Sequence, residues 1–151
     1  MHPSADGESE VALLFRSYRP EDETALIALW RQCGLTRPWN DPRKDIERKR
    51  KVDPELFIVV VEEGELVASA MAGYEGHRGW VNYLAVRPDR QRRGIGRKLM
   101  LRLEADLRAR GCPKINLQIR ESNAAAVGFY EALGYATDAV VSMGKRLERD
   151  D

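Results

Sequence analysis

A dense cluster of basic residues surrounds two glycines in the segment LAVRPDRQRRGIGRKLM, residues 84–100. An apolar run ends at Val86, and six arginines and lysines follow it with only Asp89 opposing them. A loop that leads from a strand into a helix presents backbone N–H groups without an intrahelical acceptor, and the helix dipole adds partial positive charge there. Because Gly94 and Gly96 let a phosphate approach the backbone, the turn predicts a phosphate site, and the surrounding arginines favour a pyrophosphate.

Two common nucleotide-binding motifs do not fit this spacing. A dinucleotide fingerprint requires a third glycine where Leu99 stands, and a P-loop requires Gly-Lys-Ser or Gly-Lys-Thr. Here Gly96 is followed by Arg97, Lys98 and Leu99. From these residues alone a second interpretation stays open, in which the turn is a basic helix cap whose glycines only satisfy a tight bend.

The composition of the whole chain is that of an ordinary globular domain. Its 151 residues are 43% hydrophobic and 32% charged, with a formal net charge of +1. This net charge is too small to draw the chain to nucleic acid or to a membrane surface. The only cysteines, Cys33 and Cys112, match no metal-ligand spacing and fit a reducing compartment. We expect buried or partly buried thiols and no metal site.

The first ten residues are polar and lack the apolar core of a signal peptide. No apolar run approaches the ~20 residues of a membrane helix. These features predict a cytoplasmic protein that does not bind membranes. We expect a mobile tail over residues 1–10 and one domain over residues 11–151.

Hydrophobic periodicity and turn residues predict the elements that position the basic turn. The expected strands cover residues 11–18, 56–61, 66–74, 80–86, 114–119 and 139–143. The expected helices start near Pro20, Pro42, Gly96 and Asn123 and end near Gly34, Pro54, Gly111 and Gly134. This order predicts an α/β (α+β) domain, in which an antiparallel meander is followed by a parallel crossover through the helix after the basic turn.

Two segments resemble the signatures of the GNAT (Gcn5-related) N-acetyltransferase family. The sequence QRRGIG, residues 91–96, matches the family pattern Q/R-x-x-G-x-G/A. The sequence ESNAAAVGFYEALGY, residues 121–135, is similar to the second signature, an Asn-led helix with a tyrosine followed by LGY. The resemblance covers residues 80–135 in motif detail and residues 11–147 in the order of elements.

The resemblance implies both a fold and a cofactor. The sheet would be mixed, mostly antiparallel and twisted, with about four helices and a splayed parallel pair formed by residues 82–86 and 114–119. Acyl-CoA would lie in that gap, with its pantetheine arm on the backbone of Leu84 and Val86 and its pyrophosphate on the amides of residues 92–97. The implied cofactor-binding residues are Leu84, Ala85, Val86, Gln91, Arg92, Arg93, Gly94, Ile95, Gly96, Arg97 and Asn123.

Tyr130 stands where the family has a proton donor for the departing CoA thiolate. A tyrosine hydroxyl with a pKa of about 10 suits that role, and the other interpretation is a ring that only packs its helix on the sheet. Asn123 has two compatible roles, as a helix cap and as a pantetheine contact. Gln118 departs from the related ribosomal-protein acetyltransferases, in which a Glu on this strand is the general base. Because Gln cannot accept a proton, the base must lie elsewhere or be water.

Two other regions are weaker candidates for the site. Glu75 and His77, at the turn before the strand over residues 80–86, could act through a water, but a solvated turn is the stronger interpretation and neither is assigned to the site. Trp39, Asn40 and the charged helix over residues 43–51 lie where the family usually shapes the acceptor pocket. A solvated helix face is the alternative there.

The activity implied by the resemblance is transfer of an acetyl group from acetyl-CoA to a primary amine of a small molecule, peptide or protein, by a monomer or a homodimer. A non-catalytic acyl-CoA-binding sensor is the alternative, since it keeps the basic turn and explains Gln118 without a displaced base. A nucleic-acid-binding domain fits least, because the net charge is near zero and no aromatic residues lie among the arginines.

Overall fold

The β-branched and apolar runs of the chain form a five-stranded sheet in the order β1 to β5. The computed structural model describes residues 12–151, so the tail expected over residues 1–10 lies outside the described residues. Neighbouring strands are antiparallel except β4 and β5, which are parallel. The strands are β1 Leu13–Ser17, β2 Phe57–Glu62, β3 Glu65–Tyr74, β4 Gly79–Val86 and β5 Ile115–Leu117.

Four α-helices cover the sheet, and three single turns of 3₁₀-helix lie between elements, at Pro20–Asp22, Pro54–Leu56 and Pro88–Arg90. The α-helices are α1 Glu23–Gln32, α2 Pro42–Arg50, α3 Ile95–Ala109 and α4 Ala124–Ala132. Asp41 caps α2 by accepting the Arg43 N–H at 2.9 Å, as Ser, Asn and Asp do at helix N-termini. Within residues 12–151, no helix has the length and apolar composition needed to cross a membrane.

The sheet separates two hydrophobic cores. One core joins α3 to the sheet and includes Leu99 and Leu103, which have no exposed surface. The other joins α1 and α2 to the opposite face, and Trp30 lies at its centre with its indole N–H donating to the Ser69 hydroxyl at 3.2 Å. Because helices cover both faces, β2 and β3 are buried almost continuously, which explains the predominantly apolar sequence of both strands.

A bulge in β4 opens the sheet beside β5. Asn82 pairs with Met71 and Ala85 with Ser69, so β4 has one residue more than β3 between these pairs. Tyr83, within the bulge, has a left-handed φ of 53°. Pairing of β4 with β5 covers only residues 79–81, and bulges bend and twist the strand that carries them. The mixed sheet with a splayed parallel pair and four helices confirms the predicted fold class.

The structure corrects the expectation at the end of the chain. Residues 139–143 form no strand, and Val140, Val141 and Met143 are 78–91% exposed. The β-branched composition favoured a strand, but a strand also requires a partner edge, and β5 provides only three residues instead of the six expected. Cys33 and Cys112 are free, partly buried thiols, as predicted.

Candidate active site

The turn between β4 and α3 is shaped by two residues with a left-handed backbone. Arg92 has a φ of 66° and Gly94 a φ of 80°, and α3 begins directly afterwards at Ile95. The Lys98 N–H donates to the Gly94 carbonyl at 3.0 Å. The N–H groups of residues 94–97 therefore have no acceptor within the helix, and they lie at the positive end of its dipole. This end of α3 can bind an anion.

Three arginines of the turn hold it in place. Arg90 donates from Nε to Glu62 Oε1 at 2.7 Å, and Arg93 donates from Nη2 to Glu62 Oε2 at 3.0 Å. Glu62 is only 2% exposed, and its arginine partners, Arg90 first, lower the pKa of its carboxyl group. Arg87 pairs with Asp89 at 2.7 Å. The sequence did not indicate the role of Glu62, which ties the turn to the end of β2.

The other cations of the turn face outward. Arg92, Arg97 and Lys98 are exposed. Within residues 12–151 none of these three has an ion-pair partner, in contrast to Arg87, Arg90 and Arg93. One end of α3 thus carries unpaired amides together with unpaired cations. Both features suit the oxygens of a pyrophosphate.

The gap between β4 and β5 leads to the turn. After Val81 no residue of β4 pairs with β5, which leaves backbone groups on this side of β4 open to an extended ligand. At the far end of the gap, the Val86 carbonyl accepts from Gln91 Nε2 at 3.0 Å and from Cys33 Sγ at 3.3 Å. A pantetheine amide would have to compete with both donors for this oxygen.

Tyr130 lies on α4 in the core that borders the gap. It is 9% exposed, and its ring meets those of Phe129 and Tyr135 edge to face at 5.0 and 5.7 Å. A Cβ atom on Gly96 would come within 3.2 Å of the Phe129 ring, so α4 packs directly on the turn. Burial raises the pKa of Tyr130 to about 12. The hydroxyl therefore keeps its proton at neutral pH and can donate it.

A pocket of about 540 Å³ lies beside the β4 bulge. Tyr83 forms part of its wall, stacks on Trp30 at 4.0 Å and donates its hydroxyl to Asp45 Oδ2 at 2.6 Å. Burial, together with Asp45, raises the pKa of Tyr83. No spacing in the sequence marks Tyr83, because its position depends on a bulge that only pairing with β3 creates. The pocket is lined by Leu35, Asn40, Asp45, Arg48, Lys49, Val52, Met71, Asn82 and Tyr83.

The family model of the acetyltransferase (GNAT) family matches residues 19–135. The chain belongs to the GNAT acetyltransferase family. An acetyltransferase of Pectobacterium atrosepticum is 53% identical over 135 residues, which make up 89% of this chain and 96% of that one. These findings confirm the family recognised in the two signatures and the expected enzyme class, an acyl-CoA-dependent acetyltransferase.

Solved structures of GNAT enzymes share this architecture. The ribosomal-protein-S18-alanine N-acetyltransferase from Escherichia coli is 28% identical, with a TM-score of 0.68 over 82% of this chain and 77% of that one. The aminoglycoside N-acetyltransferase AAC(6')-Iy, solved with a CoA bisubstrate analogue, is 17% identical, with a TM-score of 0.72 over 89% and 99% of the two chains. The second likeness supports the fold alone.

Asn123 and Gln118, the two other residues compared with the GNAT family, have local roles in the structure. Asn123 caps α4, since its Oδ1 accepts the Ala126 N–H at 3.1 Å. Gln118 lies one residue beyond β5, is exposed, and donates to the Ser142 hydroxyl. The amide side chain of Gln118 therefore contacts the C-terminal segment, and the side chain of Asn123 holds the first turn of α4.

Glu75 organises an exposed turn. Its Oε1 accepts the N–H groups of His77 at 2.6 Å and Arg78 at 2.5 Å. These backbone donors lower the pKa of Glu75, which makes it a poorer proton acceptor. The geometry thus agrees with leaving Glu75 out of the catalytic site.

Proposed function

We propose that this GNAT enzyme transfers an acetyl group from acetyl-CoA to a primary amine of a small molecule, peptide or protein. The pyrophosphate binds the amides of residues 92–97, with charge from Arg92 and Arg97. The pantetheine arm lies in the gap beside residues 84–86 and reaches the pocket at the bulge.

The reaction proceeds by direct attack. The nitrogen lone pair of a neutral amine attacks the thioester carbonyl carbon, an N–C bond forms, and the C–S bond breaks. Tyr130 gives its proton to the leaving thiolate and is reprotonated from water, while the nitrogen loses a proton to water. A positioned proton donor of this kind typically contributes about 10²–10⁴-fold in rate.

Water is the proton acceptor in this mechanism. Gln118 cannot take a proton, and Glu75 has a lowered pKa and belongs to a turn. The pocket beside the bulge is open, so the ammonium form of the acceptor can lose its proton to solvent before attack. The rate should therefore rise with pH until the acceptor amine is neutral.

The observation that carries the proposal is the position of the gap. It starts at the bulge, where the pocket lies, and ends at the turn with its unpaired amides and cations. A cofactor that spans both places would bring its thioester to the pocket. A non-catalytic acyl-CoA sensor would use the turn and would leave the pocket without a function. The presence of the pocket therefore favours the transferase over the sensor.

Thermal unfolding with and without ligands tests the cofactor assignment. CoA and acetyl-CoA should raise the melting temperature, because a ligand that binds only the native state stabilises it. Adenosine, which lacks the diphosphate, should raise it far less. Equal shifts for CoA and adenosine, or no shift with millimolar CoA, would refute binding through the pyrophosphate.

Release of free CoA thiol tests the transfer itself. Incubation with acetyl-CoA and a panel of primary amines should release thiol in proportion to an acetylated product detected by mass spectrometry. Acetyl-CoA binding without product for any amine, peptide or protein tested would favour the sensor.

A further inference from the structure

The pocket beside the bulge contains groups of both charges. Asp45 accepts from the Tyr83 hydroxyl at 2.6 Å and from Arg48 at 3.1 Å. Arg48 and Lys49 also line the pocket, but Lys49 points its ammonium group to the Ala72 carbonyl. A ligand could therefore pair with Arg48 as the cation and with Asp45 as the anion, once it replaces the present partners of Arg48. A ligand that satisfies both groups must itself carry both charges.

The C-terminal segment occupies Arg48 in the structure. Asp150 accepts from Arg48 through both carboxylate oxygens, at 2.8 and 3.2 Å, and its Oδ2 accepts the Asp41 N–H at 2.8 Å. Arg146 adds a third donor group at 3.2 Å. The Asp150 side chain has no exposed surface, and Arg48 first, then the Asp41 amide, lower its pKa. These donors form a complete carboxylate-binding site.

The rest of the segment is held weakly. Residues 139–149 are exposed and have no helix or strand, and Leu147 is 93% exposed. Glu148 also pairs with Arg48 but is largely exposed, and exposed ion pairs contribute little stability. The segment can therefore leave Arg48 without disturbing either hydrophobic core.

The donors of Asp150 continue the wall of the pocket. Arg48 lines the pocket itself, and Asn40, which accepts from Arg146 at 2.9 Å, lines both this pocket and a neighbouring one of about 470 Å³ that contains Asp41 and Asp150. A ligand carboxylate at the Asp150 position and an amine near Asp45 and Tyr83 would thus belong to one molecule of small size.

We propose that the acceptor is a small amine that carries a carboxylate, an amino acid in the chemical sense, and that its carboxylate replaces Asp150 on Arg48 and the Asp41 amide. This inference rests on the proposed function and names its substrate class. Arg48 then determines specificity, Asp45 and Tyr83 receive the amine end, and the C-terminal segment occupies the site between turnovers.

Matched acceptors test the carboxylate. Glycine, β-alanine, γ-aminobutyrate and δ-aminovalerate, each beside its neutral primary amide, vary the distance between amine and carboxylate at constant chain length. At least one acid should be acetylated with a kcat/KM roughly 10–100-fold above that of its amide, the usual effect of a charge-assisted hydrogen-bonded pair. If every amide equals or exceeds its acid, or if no acid is acetylated by a protein that binds CoA and acetylates other amines, the inference is wrong while the proposed function stands.

Substitutions in α2 test whether Arg48 causes the preference for the acid over its amide. Arg48→Gln should raise the KM of the preferred acid at least about 10-fold and leave its amide unchanged. Arg50→Gln removes an arginine of the same helix that pairs only with Glu47 among the described residues, and it should change neither substrate. Equal losses for acid and amide in Arg48→Gln would show that Arg48 only supports the fold.

Removal of the end of the C-terminal segment tests whether Asp150 competes with the acceptor carboxylate or helps to form its binding site. A chain that ends at Leu147 keeps Arg146 and lacks Glu148 and Asp150. It should bind the preferred acid more tightly, with a KM lowered several-fold, and should treat the amide as the full chain does. Asp150→Asn should act in the same direction, since it keeps the size and removes the charge. A higher KM for the acid in both variants would mean that Asp150 builds the site instead of occupying it, and would overturn the exchange.

Discussion

The turn after β4 and the pocket beside the β4 bulge arrange their charges in opposite ways. At the turn, the buried Glu62 from the end of β2 fixes Arg90 and Arg93. Within residues 12–151, Arg92 and Arg97 have no ion-pair partner, and the amides of residues 94–97 have no acceptor within the helix. In the pocket, Asp45 and Arg48 both have partners within the chain. The anion-binding groups of the turn are thus free before the ligand binds, and the ligand proposed for them, the CoA pyrophosphate, is always the same. The charged groups of the pocket are already paired within the chain, and the right acceptor has to replace those contacts.

The largest expected effect concerns Tyr130, which lies in the core that borders the gap between β4 and β5. Tyr130→Phe keeps the ring packing and deletes the proton, so turnover should fall roughly 10²–10⁴-fold while acetyl-CoA binding stays near that of the parent. The measurement is kcat for a validated amine beside a thermal titration with acetyl-CoA.

Tyr135→Phe is the matched control for Tyr130→Phe. Tyr135 packs against Tyr130 in the same core, but its hydroxyl donates to Glu104 at 2.6 Å. Its loss should lower stability without a comparable fall in turnover. Equal turnover of Tyr130→Phe and the parent would show that Tyr130 is only a core residue.

The second prediction separates the two sets of arginines in the turn. Arg97→Gln should weaken CoA binding roughly 10-fold, because a charge-assisted phosphate contact is lost, and should leave the apo melting temperature unchanged. Arg90→Gln should lower the apo melting temperature and leave CoA binding near that of the parent. It leaves buried Glu62 with one partner, so the melting temperature should fall by roughly 3–8 °C.

Isothermal titration with CoA and thermal unfolding of the apo forms check this separation. Titration at two salt concentrations adds a further control, since Arg97→Gln should reduce the sensitivity of CoA binding to salt and Arg90→Gln should not. A loss of CoA affinity that is the same in both variants would mean that the ion pairs with Glu62 also shape the anion site.

The third prediction concerns the glycines. Gly94→Ala forces a Cβ into the left-handed region, which costs roughly 1 kcal/mol, and it also places a methyl group at the anion site. Gly111→Ala imposes the same strain at the other end of α3, where φ is +85° and no atom lies within 4 Å of the new Cβ. The two variants should lose similar stability, and only Gly94→Ala should lose CoA affinity, measured by titration. Equal CoA affinities would limit Gly94 to a role in the turn.

Gly96 differs from Gly94 in what a side chain at its position would contact. The sequence suggested that both glycines make room for phosphates, but the nearest neighbour of a Cβ on Gly96 is the Phe129 ring at 3.2 Å. Substitution at Gly96 should therefore disturb the packing of α4 and lower stability, turnover and CoA affinity together. Such a result would not by itself locate the phosphates.

The sequence predicted the turn well because its signal is local. Two glycines, a run of arginines and a strand-to-helix boundary lie within residues 84–100, and the Asn123 cap is equally local. The pocket was not predictable in the same way. Tyr83 enters it through a bulge defined by pairing with β3, and Arg48 meets Asp150 across 102 residues of chain. The missing last strand has the same origin, since composition favours a strand but cannot show that β5 is too short to pair with one.

The smallest predicted effect compares two tyrosines at alkaline pH, the buried Tyr130 and the half-buried Tyr83. Burial raises the folded-state pKa of Tyr130 to about 12, whereas an unfolded tyrosine ionises near pH ~10. The neutral hydroxyl therefore favours the folded state fully below pH 10, and this contribution is lost as the pH rises toward 12.

Between pH 9 and 11 the parent should lose about 1 kcal/mol of unfolding free energy that Tyr130→Phe does not lose, measured by urea titration at each pH. The pKa of Tyr83 is raised by burial and also by Asp45, so Asp45→Asn should reduce the alkaline loss attributable to Tyr83 and leave that of Tyr130 unchanged. Parallel pH profiles for the parent and Tyr130→Phe would show that the Tyr130 hydroxyl is hydrated in the folded state, which would weaken its assignment as a neutral proton donor beside the thiolate.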